Sequence, residues 1–224
     1  MIRAIVLLSG GMDSLVSTAQ AVAECEEVNF LHFNYGQRTA AKEQACFEAL
    51  VNHYQPQRHK IVSYNWLSEI GGSALTDKRI DIPLGNDSAE IPVTYVPFRN
   101  ATFLCAAVAW AEVINANCIY IGAVEEDSSG YPDCRKVFFD AFSQVIATGS
   151  KKANAIEIRT PVLNLNKAEI VQLGMTLGAP FQNSWSCYAD NFEACGVCDS
   201  CRLRLNAFSR AGFLDPIKYK TTNK

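Results

Sequence analysis

The sequence lacks the features of several protein classes. It contains no apolar run of 18 residues, so we expect no membrane-spanning helix. Its first residues do not combine a basic segment with a cleavable apolar stretch, and we expect no secretory signal. Positive charge is scarce, because 20 Lys and Arg residues stand against 23 Asp and Glu residues. The formal net charge of −3 argues against a large basic surface for DNA or RNA and leaves room only for a local patch.

Two common nucleotide-binding motifs are missing as well. The P-loop pattern G-x-x-x-x-G-K-[ST] requires a lysine that the glycine-rich stretch LLSGGMDSLV does not contain. The dinucleotide pattern G-x-G-x-x-G fails because Gly10 and Gly11 are adjacent. The sequence also shows no internal repeat and no low-complexity tract. Its 224 residues are enough to build one sizeable hydrophobic core.

The cysteines do not fit a disulfide scaffold. There are nine of them, an odd number, and five are scattered singly through the chain. We therefore expect a reducing, cytoplasmic environment. The other four crowd into fifteen residues with the spacing C-x7-C-x2-C-x2-C, at Cys187, Cys195, Cys198 and Cys201. Four thiolates suit a structural Zn²⁺ with no open coordination position, although an iron–sulfur cluster or a redox pair uses similar residues.

Apolar runs of strand length alternate with helical patterns along most of the chain. Strands are predicted at 4–8, 28–34, 60–62, 118–122 and 156–160, and helices at 14–24, 40–54, 101–115, 137–147, 167–177 and about 200–211. The alternation predicts an α/β fold with a doubly wound parallel sheet and right-handed crossovers. We expect one domain at 1–180, with a small zinc-binding helical appendage at 181–224. The Gly- and Pro-rich segment 64–97 is either functional or a variable insertion.

The turn after the first predicted strand is a candidate phosphate site. Ser9, Gly10 and Gly11 lie at the carboxyl end of that strand, where open parallel sheets bind ligands and a helix N-terminus favours anions. The glycines allow positive φ and close backbone approach. Asp13 would repel a polyphosphate unless a cation lies between them, so it predicts Mg²⁺. The alternative is that Asp13 and Ser9 only cap the helix.

The stretch SGGMDS, from Ser9 to Ser14, resembles the SGGxDS signature of the PP-loop ATP pyrophosphatases. This group has an adenine nucleotide alpha hydrolase-like fold and includes GMP and NAD synthetases and tRNA thiolation enzymes. The resemblance implies that the loop holds the β and γ phosphates of ATP, while a substrate oxygen is adenylated on the α phosphate. The ATP-binding residues that it implies are Leu8, Ser9, Gly10, Gly11, Met12, Asp13, Ser14, Leu15, Val16, Ser17 and Thr18.

Two polar stretches in the middle of the chain are candidates for binding a second substrate. They are VPFRNATF at 96–103 and GAVEEDSSGYPDCR at 122–135, and the second follows a predicted strand. An arginine could clamp a carboxylate or phosphate, while carboxylates and a tyrosine could bind a polar heterocycle. The alternative for the second stretch is a solvated acidic turn. The candidate substrate residues are Arg99, Asn100, Asp127, Ser129, Tyr131, Asp133 and Arg135.

Six stretches together resemble the 7-cyano-7-deazaguanine synthase family. In chain order they are SGGMDS, FNYGQR, SALT, VPFRN, DSSGYPDCR and the four-cysteine tail, from residue 9 to 201. The resemblance implies a C–N-forming ligase that uses ATP to convert 7-carboxy-7-deazaguanine and ammonia into 7-cyano-7-deazaguanine for queuosine biosynthesis. It also implies an adenylated carboxylate, an amide intermediate and a homodimer. One departure is Phe98, where the family usually has glycine.

This chemistry requires no covalent nucleophile. We therefore assign no catalytic cysteine and interpret Cys134 as a packing or pocket residue. No glutaminase domain fits in 224 residues, so ammonia is expected from solution or from a separate partner. One alternative is a tRNA thiolation enzyme, which would need a catalytic cysteine and a basic surface. Another is a zinc-bearing nucleotide sensor without enzymatic activity. The sequence does not distinguish a product destined for tRNA from one destined for DNA.

Overall fold

The fold is built on a five-stranded sheet in which every neighbouring pair of strands is parallel. The computed structural model describes residues 1–82, 91–125, 130–151 and 156–220. The spatial order of the strands is β3-β2-β1-β4-β5. They are β1 (Arg3–Leu7), β2 (Glu27–Asn34), β3 (Arg58–Ser63), β4 (Cys118–Ile121) and β5 (Glu157–Arg159). The prediction of a parallel α/β sheet is confirmed.

The helices follow the predicted alternation closely. They are α1 (Met12–Glu24), α2 (Ala40–Tyr54), α3 (Trp66–Glu69), α4 (Arg99–Ile114), α5 (Lys136–Gly149), α6 (Lys167–Thr176) and α7 (Asp199–Ala211). The short α3 lies in the Gly- and Pro-rich segment and was not predicted. Two 3₁₀ turns, Pro132–Cys134 and Phe181–Asn183, complete these elements. Among the described residues, no helix is both long and apolar enough to cross a membrane.

Both faces of the sheet are covered by helices, as the doubly wound prediction requires. Successive strand side chains point to opposite faces. Ile5 and Leu7 of β1 therefore join a core with α4 and α5, whereas Ala4 and Val6 join a second core with α1, α2, α6 and α7. All four side chains are buried, which explains why β1 is a continuous apolar run.

A glycine brings the start of α1 directly onto the end of β4. A Cβ atom at Gly122 would lie 2.6 Å from the backbone carbonyl carbon of Asp13 and 2.6 Å from the amide nitrogen of Ser14. Only glycine leaves room for this approach. The first turn of α1 is thus held between two central strands, at the edge where the carboxyl ends of the parallel strands meet.

The C-terminal segment is tied to the sheet by hydrogen bonds and by core packing. The backbone N–H of Trp185 donates to the Gly10 carbonyl oxygen at 2.8 Å. Arg204 is 1% exposed and pairs with Asp215 through two nitrogens, at 2.8 and 3.0 Å. Phe208 of α7 belongs to the same core as α1 and α6. The segment beyond residue 180 therefore packs against the sheet domain. The expected domain boundary at residue 180 stays a prediction.

Candidate active site

A cavity of about 250 Å³ lies at the carboxyl ends of β1, β2 and β4. Its lining includes four parts of the chain: the loop after β1, the segment 35–43, the first turn of α4, and the segment 185–188 that leads to the cysteine cluster. Three of these parts contain residues that the sequence marks as candidates for nucleotide, substrate or metal binding. The topology of the sheet therefore brings distant motifs into one site.

The loop after β1 is shaped by its glycines and by two serines. Gly10 has φ of +88°, and a Cβ there would lie 2.7 Å from the Glu43 carbonyl oxygen. The Ser9 and Ser14 hydroxyls lie 2.9 Å apart, and the Gly11 N–H donates to the Ser9 Oγ at 3.2 Å. Within the described structure, no side chain caps α1. The capping alternative for Asp13 and Ser9 is therefore wrong, and the first N–H groups of α1 are left for a ligand.

Asp13 pairs with a lysine that lies 154 residues away in the sequence. The Lys167 Nζ is 2.9 Å from the Asp13 Oδ2, and the two side chains are 15% and 29% exposed. The other carboxylate oxygen, Oδ1, is buried and has no hydrogen-bond partner in the described structure. Lys167 thus places positive charge beside a loop whose own sequence has none, and a role for Asp13 in binding a cation stays a prediction.

Lys167 reaches the loop because it is the first residue of α6. Asn166 and Glu169 form a capping box there: the Asn166 side chain accepts from two backbone N–H groups, and Glu169 accepts from the Asn166 N–H. This cap fixes where α6 begins and so where the lysine side chain starts. The capping signature is readable in the sequence LNLNKAE, but the contact with the loop is not.

The last four residues of the implied ATP-binding stretch belong to the core of α1. Leu15, Val16, Ser17 and Thr18 are buried and do not line the cavity. The Thr18 hydroxyl donates to the Ser14 carbonyl oxygen at 2.7 Å. The side chains that border the cavity are those before them in the stretch, up to Ser14. A direct role for residues 15–18 in nucleotide binding stays a prediction.

Arg99 lies at the other end of the cavity among aromatic rings. Its Nη1 donates to the Tyr35 hydroxyl at 2.9 Å, and its guanidinium carbon lies 5.4 and 5.8 Å from the ring centres of Tyr35 and Phe103. Burial raises the pKa of Tyr35 to about 12, so its hydroxyl is neutral. A half-buried guanidinium in an aromatic wall suits a planar anion.

The cysteine cluster borders the same cavity through Cys187. The Sγ atoms of Cys187, Cys195, Cys198 and Cys201 all lie within 4.8 Å of one another, and Cys195 and Cys201 are 3.9 Å apart. The predicted convergence of these residues is confirmed, and they could hold a metal ion. The Cys195 N–H donates to the Cys187 Sγ at 3.4 Å, which helps to set the sulfur geometry.

The chain matches a model of the family described as queuosine biosynthesis protein QueC over residues 3–212. It belongs to this family. The QueC relatives include proteins named 7-cyano-7-deazaguanine synthase from Chlorobaculum parvum, 55% identical over 97% of this chain and 96% of the relative, and from Chlorobium phaeobacteroides, 57% identical over 97% of each. The Chlorobaculum tepidum protein of the same name is 57% identical over 97% of this chain and 96% of its own length.

Solved structures with low sequence identity show the fold that this QueC member shares. The U34-tRNA thiolase NcsA from Methanococcus maripaludis has a TM-score of 0.50 and 15% identity, over 84% of this chain and 60% of that one. A 4-thiouridine synthetase also has a TM-score of 0.50, with 16% identity over 94% of this chain and 50% of that one. The PP-loop type of α/β fold is therefore confirmed.

Phe98, the departure from the family pattern, adopts a backbone conformation that glycine favours. It precedes α4 with φ of +55° and ψ of 27°, in the left-handed region. Its N–H donates to the Tyr95 hydroxyl at 2.9 Å, and its side chain is 63% exposed. This geometry explains the glycine expected from the resemblance, and the chain adopts it with phenylalanine at a cost of about 1–2 kcal/mol. The VPFRN loop therefore has the left-handed backbone conformation at Phe98 that a glycine would adopt at this position.

The candidate substrate residues separate into three groups. Arg99, Asn100 and Tyr131 line the cavity, whereas Asp133 does not line it and Arg135 is exposed, with its Nε donating to the Pro132 carbonyl oxygen. The remaining two, Asp127 and Ser129, lie outside the described residues. A direct contact between substrate and any of the seven stays a prediction.

Asp133 supports the start of α4 from behind the cavity. Its Oδ2 accepts from the Asn100 N–H at 2.9 Å, and its carbonyl oxygen accepts from the Asn100 Nδ2 at 2.9 Å. The Asn100 amide also donates to the Cys134 Sγ at 3.3 Å. Burial raises the pKa of Cys134 to about 11, so its thiol is neutral and a poor nucleophile. This environment agrees with its interpretation as a packing residue.

Proposed function

We propose that this protein is an ATP-dependent ligase that converts 7-carboxy-7-deazaguanine and ammonia into 7-cyano-7-deazaguanine, the nitrile required for queuosine. The observation that carries the proposal is the family match over residues 3–212, together with relatives of that activity at 55–57% identity. The cavity supports it, because a candidate phosphate-binding loop and a half-buried arginine in an aromatic wall face the same space.

The loop and the first turn of α1 bind the β and γ phosphates of ATP. The backbone N–H groups supply donors, and Lys167 supplies a positive charge. The Asp13 Oδ1 is the oxygen that would hold Mg²⁺ against the phosphates. When it is bound, this ion neutralises charge on the leaving pyrophosphate. This arrangement explains how the loop works without the P-loop lysine.

Arg99 orients the heterocyclic substrate through its carboxylate. Phe103 and Tyr131 offer faces for a planar ring, and the Asn100 side chain lies at the same wall. Asp127 and Ser129 are expected to contact the polar edge of the ring. Held in this way, the carboxylate oxygen attacks the α phosphate of ATP, and pyrophosphate leaves. Positioning and charge stabilisation carry most of the catalysis.

The adenylated carboxylate then reacts with ammonia to give an amide and AMP. A second activation at the amide oxygen allows loss of that oxygen and formation of the nitrile. No step requires a cysteine. A tRNA thiolation enzyme would need a reactive thiol in the site, and the buried Cys134 with its raised pKa does not fit that need.

The four cysteines bind one structural Zn²⁺. Tetrahedral zinc with bonds of about 2.3 Å places its sulfurs about 3.8 Å apart, close to the 3.9 Å between Cys195 and Cys201. A cluster of four irons is a larger body and would hold its thiolates farther apart than this site does. The ion supplies no chemistry to the reaction. It fixes the segment 185–188 as a wall of the cavity.

The protein is expected to act as a cytoplasmic homodimer. Free ammonia from solution, or ammonia from a separate partner, is the nitrogen source. The segment 181–224 is proposed as a zinc-binding appendage on the domain formed by 1–180.

The direct test is incubation of the protein with ATP, Mg²⁺, ammonium and 7-carboxy-7-deazaguanine. Mass spectrometry should detect the amide and then the nitrile, with release of AMP and pyrophosphate. The proposal would be wrong if neither the amide nor the nitrile forms and ATP is not cleaved above background. A supply of sulfide in place of ammonium serves as the control for a thiolation activity.

A further inference from the structure

One carboxylate in the cavity has no role in the reaction described so far. Glu43, in the first turn of α2, lines the cavity next to the nucleotide loop. Its Oε1 accepts from the Thr39 hydroxyl at 2.7 Å, and its Oε2 accepts from the Gln37 Nε2 at 3.0 Å. None of the ion pairs among the described residues, taken at a nitrogen–oxygen distance of up to 4.0 Å, involves Glu43. The carboxylate is thus held only by neutral donors.

The donors themselves are fixed in place. Gln37 is 5% exposed, its Oε1 accepts from the Tyr35 N–H at 2.9 Å, and its Nε2 also donates to the Phe33 carbonyl oxygen at 3.3 Å. Thr39 is 4% exposed. An acidic residue in the first turn of a helix is favourable even when its side chain is mobile. Stabilisation of α2 therefore does not explain why this carboxylate is oriented so firmly into a cavity.

Glu43 lies between the two halves of the proposed site. Its carbonyl oxygen packs against Gly10 of the loop, where a Cβ would come within 2.7 Å. Through Gln37 it is linked to Tyr35, whose hydroxyl accepts from Arg99 at 2.9 Å. The segment 35–43 therefore contacts the arginine at one end, and at the other end it carries a carboxylate that is held by neutral donors beside the loop. This is where a small cation could meet an adenylated carboxylate.

We propose that Glu43 binds ammonium and removes one of its protons. The inference rests on the proposed function, and it assigns a site to the second substrate. Ammonium is the main form of ammonia at neutral pH and has no lone pair, so it must lose a proton before it attacks. Each Glu43 carboxylate oxygen accepts one hydrogen bond from a neutral donor and keeps further acceptor capacity, so charge-assisted hydrogen bonds can hold ammonium there.

The step balances as follows. Ammonium gives a proton to the Glu43 carboxylate and becomes ammonia. The nitrogen lone pair forms a C–N bond with the acyl carbon, and the bond from that carbon to the phosphate oxygen of AMP breaks. AMP leaves with the electron pair, and the nitrogen loses a second proton to solvent. The products are the amide, AMP and a protonated Glu43 that returns its proton to water.

The test separates adenylation from the ammonia step with a Glu43→Gln variant. Exchange of labelled pyrophosphate into ATP, driven by 7-carboxy-7-deazaguanine without ammonium, should stay near the wild-type rate. The kcat/KM for ammonium should fall by about 100-fold or more, because a general base contributes on that scale. Glu48→Gln is the matched control, since Glu48 is exposed on the same helix and should change neither rate.

Hydroxylamine provides a second readout. It is mostly neutral at neutral pH and attacks acyl adenylates without first losing a proton. Glu43→Gln should therefore form the hydroxamate at close to the wild-type rate, although it fails with ammonium. If Glu43→Gln folds poorly, Thr39→Val removes the hydroxyl that donates to the Oε1 and should give a smaller loss in the ammonium step alone.

Each other outcome overturns the inference. Loss of pyrophosphate exchange in Glu43→Gln would place the carboxylate on ATP or Mg²⁺ instead. An unchanged kcat/KM for ammonium would remove Glu43 from the reaction, and equal losses with ammonium and hydroxylamine would point to a general defect. If the wild-type protein shows no exchange with 7-carboxy-7-deazaguanine, the proposed function itself fails, and the ammonium site fails with it.

Discussion

The nucleotide loop at residues 9–14 and the cysteine cluster at 187–201 face the same cavity, but different interactions hold them. The loop lies between two buried strands and the first turn of α1; Gly10 packs against the backbone of α2, and Gly122, just after β4, packs against the backbone at Asp13. The cluster lies in a segment with little regular secondary structure before α7. We expect the sheet to keep the loop in shape without a ligand, whereas the cluster depends on its metal.

One hydrogen bond joins the two regions. The Trp185 N–H donates to the Gly10 carbonyl oxygen at 2.8 Å, two residues before Cys187. The Lys42 Nζ also lies 4.5 Å from the centre of the Trp185 ring. The segment before the cysteine cluster therefore packs against the loop and forms one wall of the cavity. These contacts give each region a route by which a change in the other can affect it.

Loss of the metal should give the largest effect. In Cys198→Ser we expect little bound zinc and the loss of amide exchange protection over residues 185–211, because structural zinc supplies much of the folding free energy of such a segment. Strands β1 and β2 should stay protected. Hydrogen–deuterium exchange with a zinc assay measures both. Cys105→Ser, at an exposed cysteine on α4, is the control. Full protection of residues 185–211 without zinc would contradict the expectation that this segment depends on its metal.

Removal of the loop carboxylate should abolish chemistry without touching the cluster. We expect Asp13→Asn to lower the rate of pyrophosphate exchange by about 100-fold or more, since it removes charge stabilisation at the reacting phosphates. Its zinc content and melting temperature should stay near wild type. Asp140→Asn is the matched control, at an exposed aspartate that pairs with Lys136 on the surface of α5. An Asp13→Asn variant with full exchange activity would exclude this carboxylate from the mechanism.

A methyl group at Gly122 should disturb the loop by packing alone. Its Cβ would lie 2.6 Å from the backbone at Asp13, so α1 must shift, at a cost of about 1–3 kcal/mol in the free energy of unfolding. We also expect weaker ATP binding, measured by calorimetry, with normal zinc content. Gly149→Ala is the control, because a Cβ there meets no atom within 4 Å. Unchanged stability and ATP affinity in Gly122→Ala would show that the loop is not held as described.

Relief of the strained residue should give the smallest effect. Phe98→Gly removes a left-handed conformation that costs about 1–2 kcal/mol but adds chain entropy of about 0.5–1 kcal/mol to the unfolded state. Because the side chain is 63% exposed, little burial is lost. We expect the free energy of unfolding to rise by up to about 1 kcal/mol, measured by urea denaturation. The Phe98 ring lies edge-on to Phe138, with 6.2 Å between the ring centres. A clear fall in stability would mean that this contact stabilises the fold more than the strain costs.

The sequence predicts the secondary structure and both signature motifs of these two regions. Strand β1 was expected at 4–8 and found at Arg3–Leu7, and α2 was expected and found at Ala40–Tyr54. Apolar periodicity determines such elements locally. The cysteine spacing likewise predicts convergence, because three of the four lie within seven residues. Motifs of this kind carry their geometry in a short stretch of chain.

Contacts between distant segments could not be predicted in this way. Lys167 reaches Asp13 across 154 residues, and that contact depends on the order of strands in the sheet. The stretch around Asp133 contains residue types that could bind a substrate. The Asp133 carboxylate instead accepts the Asn100 N–H at the start of α4, where the N-cap residue Phe98 provides no side-chain cap. The need to satisfy a helix N-terminus places Asp133 behind the cavity, and the turn leaves Arg135 in solvent.

The most direct test of the account follows an oxygen atom. The protein is incubated with ATP, ammonium and 7-carboxy-7-deazaguanine whose carboxylate carries ¹⁸O. The masses of the products are then measured by mass spectrometry. Adenylation of the carboxylate at the loop requires that ¹⁸O appear in AMP. AMP without the label, or label found in orthophosphate instead, would contradict the assignment of the SGGMDS loop to pyrophosphate release.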